Sequence, residues 1–173
     1  MHIVDMLDPD FGYKPELPKS DIGATYDRLL RERYRVLWDT TIDGRLVQKS
    51  WLNPEVKSRH WLNFKQAFSG PEADLENIFS FFFNNQRPNH AELVSFAQSS
   101  ESWFINTLPD PHPKGLCSVC QFPSFHLEKT ITKLSPQTII RIQDDIPGWQ
   151  PEQLICQQCA DVYESKNLQL TLS

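Results

Sequence analysis

The sequence predicts an α+β chain, with a mostly helical N-terminal domain followed by a small β-rich domain closed by four cysteines. Three observations carry that expectation. Apolar residues recur at three- and four-residue intervals from about residue 22 to residue 108. Pro109, Pro111 and Pro113 then interrupt the chain within five positions, which no helix continues through. Beyond them stand Cys117-Ser-Val-Cys120 and Cys156-Gln-Gln-Cys159, which hold every cysteine of the chain, among short β-branched runs.

Four segments follow from these signals: an extended arm over 1–19, a helical domain over 20–108, a Pro-rich linker over 109–115 and a metal-binding domain over 116–173. The arm carries Pro15 and Pro18 and shows no helical or strand period. A first helix is expected from an N-cap at Ser20 or Asp21 to about Trp38. Its stripe is Ile22, Tyr26, Leu29, Leu30, Arg33 and Leu37. Thr40-Thr41-Ile42-Asp43-Gly44 reads as its stop, because Asp-Gly is a turn signal, and Arg45–Gln48 reads as a short strand or loop. Asn53-Pro54-Glu55 starts the next helix, with a capping side chain, a first-turn Pro and an acid at the positive helix end. That helix carries Val56, Trp61, Phe64 and Phe68 and stops at Ser69-Gly70.

Pro71-Glu72 opens a third helix with Leu75, Ile78, Phe79 and Phe82, flanked by Phe81 and Phe83. Its last turn is apolar nearly all round, which suits either core or a partner surface. Asn89 caps a fourth helical segment through Leu93, Val94 and Phe96 to Trp103, Phe104 and Leu108, with a break at Ser99-Ser100. In the last domain Phe125–Ile131 and Thr138–Ile142 are expected as strands, broken at Ser135-Pro136. Ala160–Ser165 is a short helix or a returning strand.

The cysteine spacing is the sharpest chemical signal. A two-residue spacer lets both thiolates of a pair turn toward one ion, and two pairs complete a tetrahedral sulfur site. A domain of this size buries too little surface to order short strands unaided. Zinc binding in small modules contributes roughly 10–16 kcal/mol of apparent free energy. The candidate ligands are Cys117, Cys120, Cys156 and Cys159, holding one structural Zn²⁺. Iron is disfavoured because Gln121 and Ala160 stand where rubredoxin-like knuckles carry glycine. Four sulfurs saturate the ion, so no position is left for a substrate or a catalytic water. His126 is the nearest alternative ligand, and reads more simply as a strand-face residue. His2, His60, His90 and His112 receive no role.

The cysteine module resembles the four-cysteine zinc ribbons and treble clefs of bacterial proteins. Its tail, Trp149, Glu152, Leu154, Cys156 and Cys159 together with Cys117 and Cys120, is similar to small zinc modules that precede some class I methyltransferases. The resemblance implies a zinc-ribbon-like domain and metal binding. It implies no catalysis here, because the chain stops soon after the module and has no Gly-x-Gly-x-x-Gly.

The remaining composition mostly excludes. The net charge is −5, and residues 1–110 hold 12 basic and 16 acidic side chains. That balance disfavours a general electrostatic grip on nucleic acid. Arg28, Arg31, Arg33 and Arg35 are expected on a solvated helix face, pairing with Asp27 and Glu32. No phosphate loop, metalloprotease helix or nucleophile elbow occurs. No apolar run reaches membrane-spanning length and no leader pattern opens the chain, so a cytoplasmic location is expected, where thiols stay reduced. These features predict a non-catalytic zinc-binding accessory or adaptor protein acting through protein–protein contacts, or a small subunit or maturation factor of a larger enzyme. Its candidate contacts are Phe81, Phe82, Phe83, Trp103, Phe104, Phe122, Phe125 and Trp149. The alternative is a nucleic-acid-binding regulator that uses Lys129, Lys133 and Arg141 beside Phe125.

Overall fold

The structure, a computed structural model, describes residues 2–19, 21–84, 87–100, 115–129 and 134–170. The fold is α+β. Two compact units emerge, one of Met1–Asp21 with Asp27–Pro111 and one of Ile22–Tyr26 with His112–Ser173. Trp103, Phe104 and most of the expected linker lie outside the described residues.

The first unit is helical: α1 (His2–Leu7), α2 (Ala24–Gln48, whose first turn belongs to the second unit), α3 (Val56–Ala67), α4 (Glu72–Asn84) and α5 (His90–Gln98). The expected end of the first helix at Thr40–Gly44 is not observed, nor is a strand at Arg45–Gln48; α2 runs unbroken through both. Two local devices permit this. The Thr40 and Thr41 hydroxyls donate back to the carbonyls of Val36 (2.7 Å) and Trp38 (2.8 Å), so neither polar group is stranded in the interior. The backbone of α4 passes close to Gly44, and a Cβ there would overlap the Phe83 carbonyl. The glycine thus serves helix contact rather than a turn. The helix ends instead in a Schellman motif, with Trp51 N–H donating to Leu46 O and Ser50 N–H to Val47 O, and Ser50 at φ +58°.

Other boundaries follow local chemistry. The Asn53 side chain accepts from the Glu55 N–H (2.9 Å) ahead of α3. The Pro71 carbonyl takes the Asp74 and Leu75 N–H groups at the start of α4. Asn89 and Glu92 form a reciprocal capping box on α5, which closes at Ser99. The interior is a ring cluster of Phe64, Phe68, Phe79, Phe82 and Phe96, with centroid separations of 4.7 to 6.2 Å.

Arg33 departs from the solvated face expected for it. It is 4% exposed, and its guanidinium donates to Ala67 O at the end of α3 and to Ala97 O near the end of α5. Helix C-termini carry unpaired carbonyls and a partial negative charge, which a buried fork of donors satisfies at two ends together. Arg35 does pair with Glu32, at 2.6 Å.

The arm is not wholly extended, since it begins with α1. Asp5 of that helix is buried, accepting from Trp38 Nε1 (2.8 Å) and from both Arg45 amino groups (2.8 and 2.5 Å). Burial pushes its carboxyl upward, but the hydrogen bonds from Arg45 and Trp38 outweigh burial and leave it below the usual range. Phe11 and Tyr13 then stack on Trp38, fastening the arm to α2.

The second unit holds two antiparallel ladders, β1 (Gly115–Leu116) with β2 (Pro123–Ser124), and β3 (Leu127–Lys129) with β4 (Leu154–Cys156), plus α6 (Pro136–Asp145) and α7 (Gln157–Leu170). The strand expected at Thr138–Ile142 is corrected: this segment is α6. Ser135 and Pro136 are its N-cap and first-turn proline, with the Thr138 N–H donating to Ser135 Oγ at 3.2 Å. Strand geometry would set Thr138, Ile140 and Ile142 on one face. The helix buries Thr138 and Ile142 and leaves Ile140 58% exposed. Glu164 of α7 accepts the Ser135 N–H (2.8 Å) and so ties the start of α6 to α7.

Candidate metal centre

Each cysteine pair is built by local backbone geometry. The first occupies the turn joining β1 to β2. There the Gln121 N–H donates to Cys117 O (2.9 Å) and the Cys117 N–H to Phe122 O (3.0 Å). Gln121 takes φ +60°, the left-handed conformation that reverses the chain, and its side chain donates to Ser118 O (3.1 Å). The second pair spans a strand end and a helix start. Cys156 is the last residue of β4 and Cys159 lies in the first turn of α7, where backbone N–H groups and the helix dipole favour negative sulfur.

The four sulfurs lie within 4.8 Å of one another, and all four residues are buried. Cys117 and Cys159 are 3.8 Å apart and Cys120 and Cys156 are 3.9 Å apart; all four are free of disulfides. Four sulfurs each about 2.3 Å from one ion stand about 3.8 Å apart along the edges of a tetrahedron. The donor set fits a single thiophilic metal ion. The Cys156 N–H also points at Cys117 Sγ (3.3 Å), a donor suited to thiolate charge. Hydrogen bonds from Cys120, then Cys156 and Cys159, hold the Cys117 thiol far below its ordinary range, while the same contact with Cys117 pushes Cys120 far above it. Four thiols this close favour loss of protons to a divalent ion, whose charge would offset that of the thiolates.

A second layer orients the first. The Ser118 N–H donates to Leu154 O (3.0 Å), linking the first turn to β4. Trp149 Nε1 donates to Ser118 Oγ (2.9 Å), and the Trp149 ring is 3% exposed. Phe122, the second residue past Cys120, stacks on Tyr26 at 4.3 Å and 11° and is 2% exposed. Ser118 and Tyr26 were not legible as part of this centre. Trp149 was visible only through its place before Leu-x-Cys-x-x-Cys.

The expected aromatic contacts separate sharply. Phe82 and Phe83 are core residues of α4, and Phe122 and Trp149 are buried around the cysteines, so none of the four offers a face to a partner. Phe81 is 47% exposed and Phe125 is half-buried. Lys133 and the side chain of Lys129 lie outside the described residues, while Arg141 is half-buried on α6. His126 is exposed on the loop after β2 and does not join the sulfur cluster. Three histidines left without a role have partners: His2 with Asp39, His60 with Asp43 and His90 with Tyr34.

Among the described residues no helix is long and apolar enough to cross a membrane. Comparison of the chain with protein-family models, curated proteins and solved structures finds no match.

Proposed function

We propose that this chain is a non-catalytic zinc-binding accessory or adaptor protein, of the kind that serves as a small subunit or maturation factor of a larger enzyme. In this reading the second unit is the zinc ribbon or treble clef that its cysteine spacing resembles. The observation that supports it is the closed sulfur cage. Four buried thiols with tetrahedral edge lengths saturate one ion, and saturation suits a structural metal rather than a catalytic one. Cys117, Cys120, Cys156 and Cys159 are the ligands, and zinc supplies charge neutralisation and cross-linking without redox chemistry. Exposed Phe81 on the helical unit is the aromatic residue we assign to contact with a protein partner.

Elemental analysis of protein purified under reducing conditions without added metal tests this directly. One zinc per chain is expected, and cobalt substitution should give the absorption of a tetrahedral four-thiolate site. Iron in its place, or metal-free protein with an ordered C-terminal unit, would overturn the assignment.

A further inference from the structure

The first unit contains a groove of about 380 Å³ between the arm over residues 13–19 and one face of α2. Its inner wall is made by the buried residues Leu30 and Tyr34. The Tyr34 hydroxyl is fixed by a 2.8 Å hydrogen bond to His90 Nδ1, so the ring cannot swing to fill the space. Around the rim stand Lys14, Lys19 and Arg31. None of the three has an ion-pair partner among the described residues. Arg35, Arg45, Arg59, Lys65 and Arg87 of the same unit each meet a carboxylate, whereas Lys49 and Lys57 lie over aromatic rings.

In a chain with a net charge of −5, the three cations of this concave site outnumber its two carboxylates, and an anion would be drawn to the excess of positive charge. Glu16 and Asp27 share the lining. A bare anion would meet these two carboxylates unfavourably, whereas hydroxyl groups would donate to them. The groove is also larger than an inorganic anion fills, and Leu17, Leu30 and Tyr34 give it an apolar wall.

We propose that this groove binds a small phosphomonoester carrying hydroxyl groups, with Lys14, Lys19 and Arg31 on the phosphate and Glu16 and Asp27 on the hydroxyls. A guanidinium matches phosphate with two parallel donors, and the lysines add charge without fixed geometry. The site is separate from the cysteine cluster, and its occupancy does not depend on the zinc reading.

Calorimetric titration of the full, metal-loaded chain in phosphate-free, low-salt buffer tests it, with ribose 5-phosphate, ribose and inorganic phosphate as probes. Ribose 5-phosphate is expected to bind saturably, inorganic phosphate more weakly and ribose not at all. Arg31→Ala and Lys14→Ala should each weaken ribose 5-phosphate about tenfold, the loss of one charge-assisted contact. Both residues are exposed, so thermal unfolding should be unchanged. Lys57→Ala, an exposed lysine of α3, should bind as the parent does. Absence of saturable binding below about 10 mM, an affinity too weak for a built site, overturns the proposal. So does equal loss in Lys57→Ala, or inorganic phosphate binding as tightly as the ester, which would mark an adventitious ion only.

Discussion

Arg33 illustrates how a single side chain organises several elements. A cation this deeply buried would be costly unless its donors were matched, and the ends of α3 and α5 supply carbonyls at 3.1 and 3.4 Å. Arg33→Ala is expected to cost about 2–4 kcal/mol in urea unfolding, from lost hydrogen bonds and the cavity left behind. Arg33→Lys should not restore it, because an ammonium cannot span both carbonyls with a planar fork. His90 makes a different prediction. Burial first, and the charge of Lys14 second, hold its imidazole below 6.5 in the folded protein. Between the folded and unfolded pKa the unfolded chain binds the proton and the native chain does not. Stability is therefore complete above about pH 6.5 and declines as pH falls below it. Unfolding midpoints measured between pH 7.5 and about 5 should show this slope in the parent and a flatter one in His90→Gln.

At the scale of elements, α2 and α6 are where local rules and the final structure part. Glycine inside a helix ordinarily costs about 1 kcal/mol relative to alanine. Gly44→Ala on an exposed helix would therefore stabilise. Here the added methyl meets the Phe83 carbonyl, and backbone cannot yield as a side-chain tip can. Denaturant unfolding of Gly44→Ala should show a loss of about 3 kcal/mol or more, against the sign that propensity gives. For α6 the sequence carries a start signal, Ser135-Pro136, but the β-branched run after it favours a strand by local propensity. The hydroxyl-to-Thr138 bond and the burial of Thr138 and Ile142 decide for helix. Asn53, Asn89 and the Pro71 start were legible for the opposite reason: each acts within four residues and needs no distant partner.

For the molecule as a whole, the two units differ in what holds them. The helical unit has five phenylalanine rings joined in one cluster and a buried stripe along α2. The second unit has ladders of two and three residue pairs, too short to persist without a cross-link. In metal-loaded protein a chelator should therefore remove hydrogen-exchange protection at Ile155 and Tyr163 while leaving Phe64 and Phe96 protected. Loss of protection in both sets together, or in neither, would refute this division. Because Tyr26 stacks on Phe122 beside the first cysteine turn, Tyr26→Ala should make metal easier to extract by a competing chelator. The metal stoichiometry at full loading should be unchanged.

What the sequence determined alone is chemistry of short reach: the cysteine pairs, most helix starts and the helical character of most of α2, α3, α4 and α5. The spacing of Cys117-x-x-Cys120 and Cys156-x-x-Cys159 sets which sulfurs can share an ion whatever surrounds them. Tertiary structure decided the rest, namely that Gly44 lies inside a helix, that Arg33 is interior, that Phe82 and Phe83 are core while Phe81 is not, and that Trp149 and Tyr26 support the cysteine turns. Each of those outcomes depends on a partner tens of residues away, or on how a packed interior shares its space. Neither can be read from a local window.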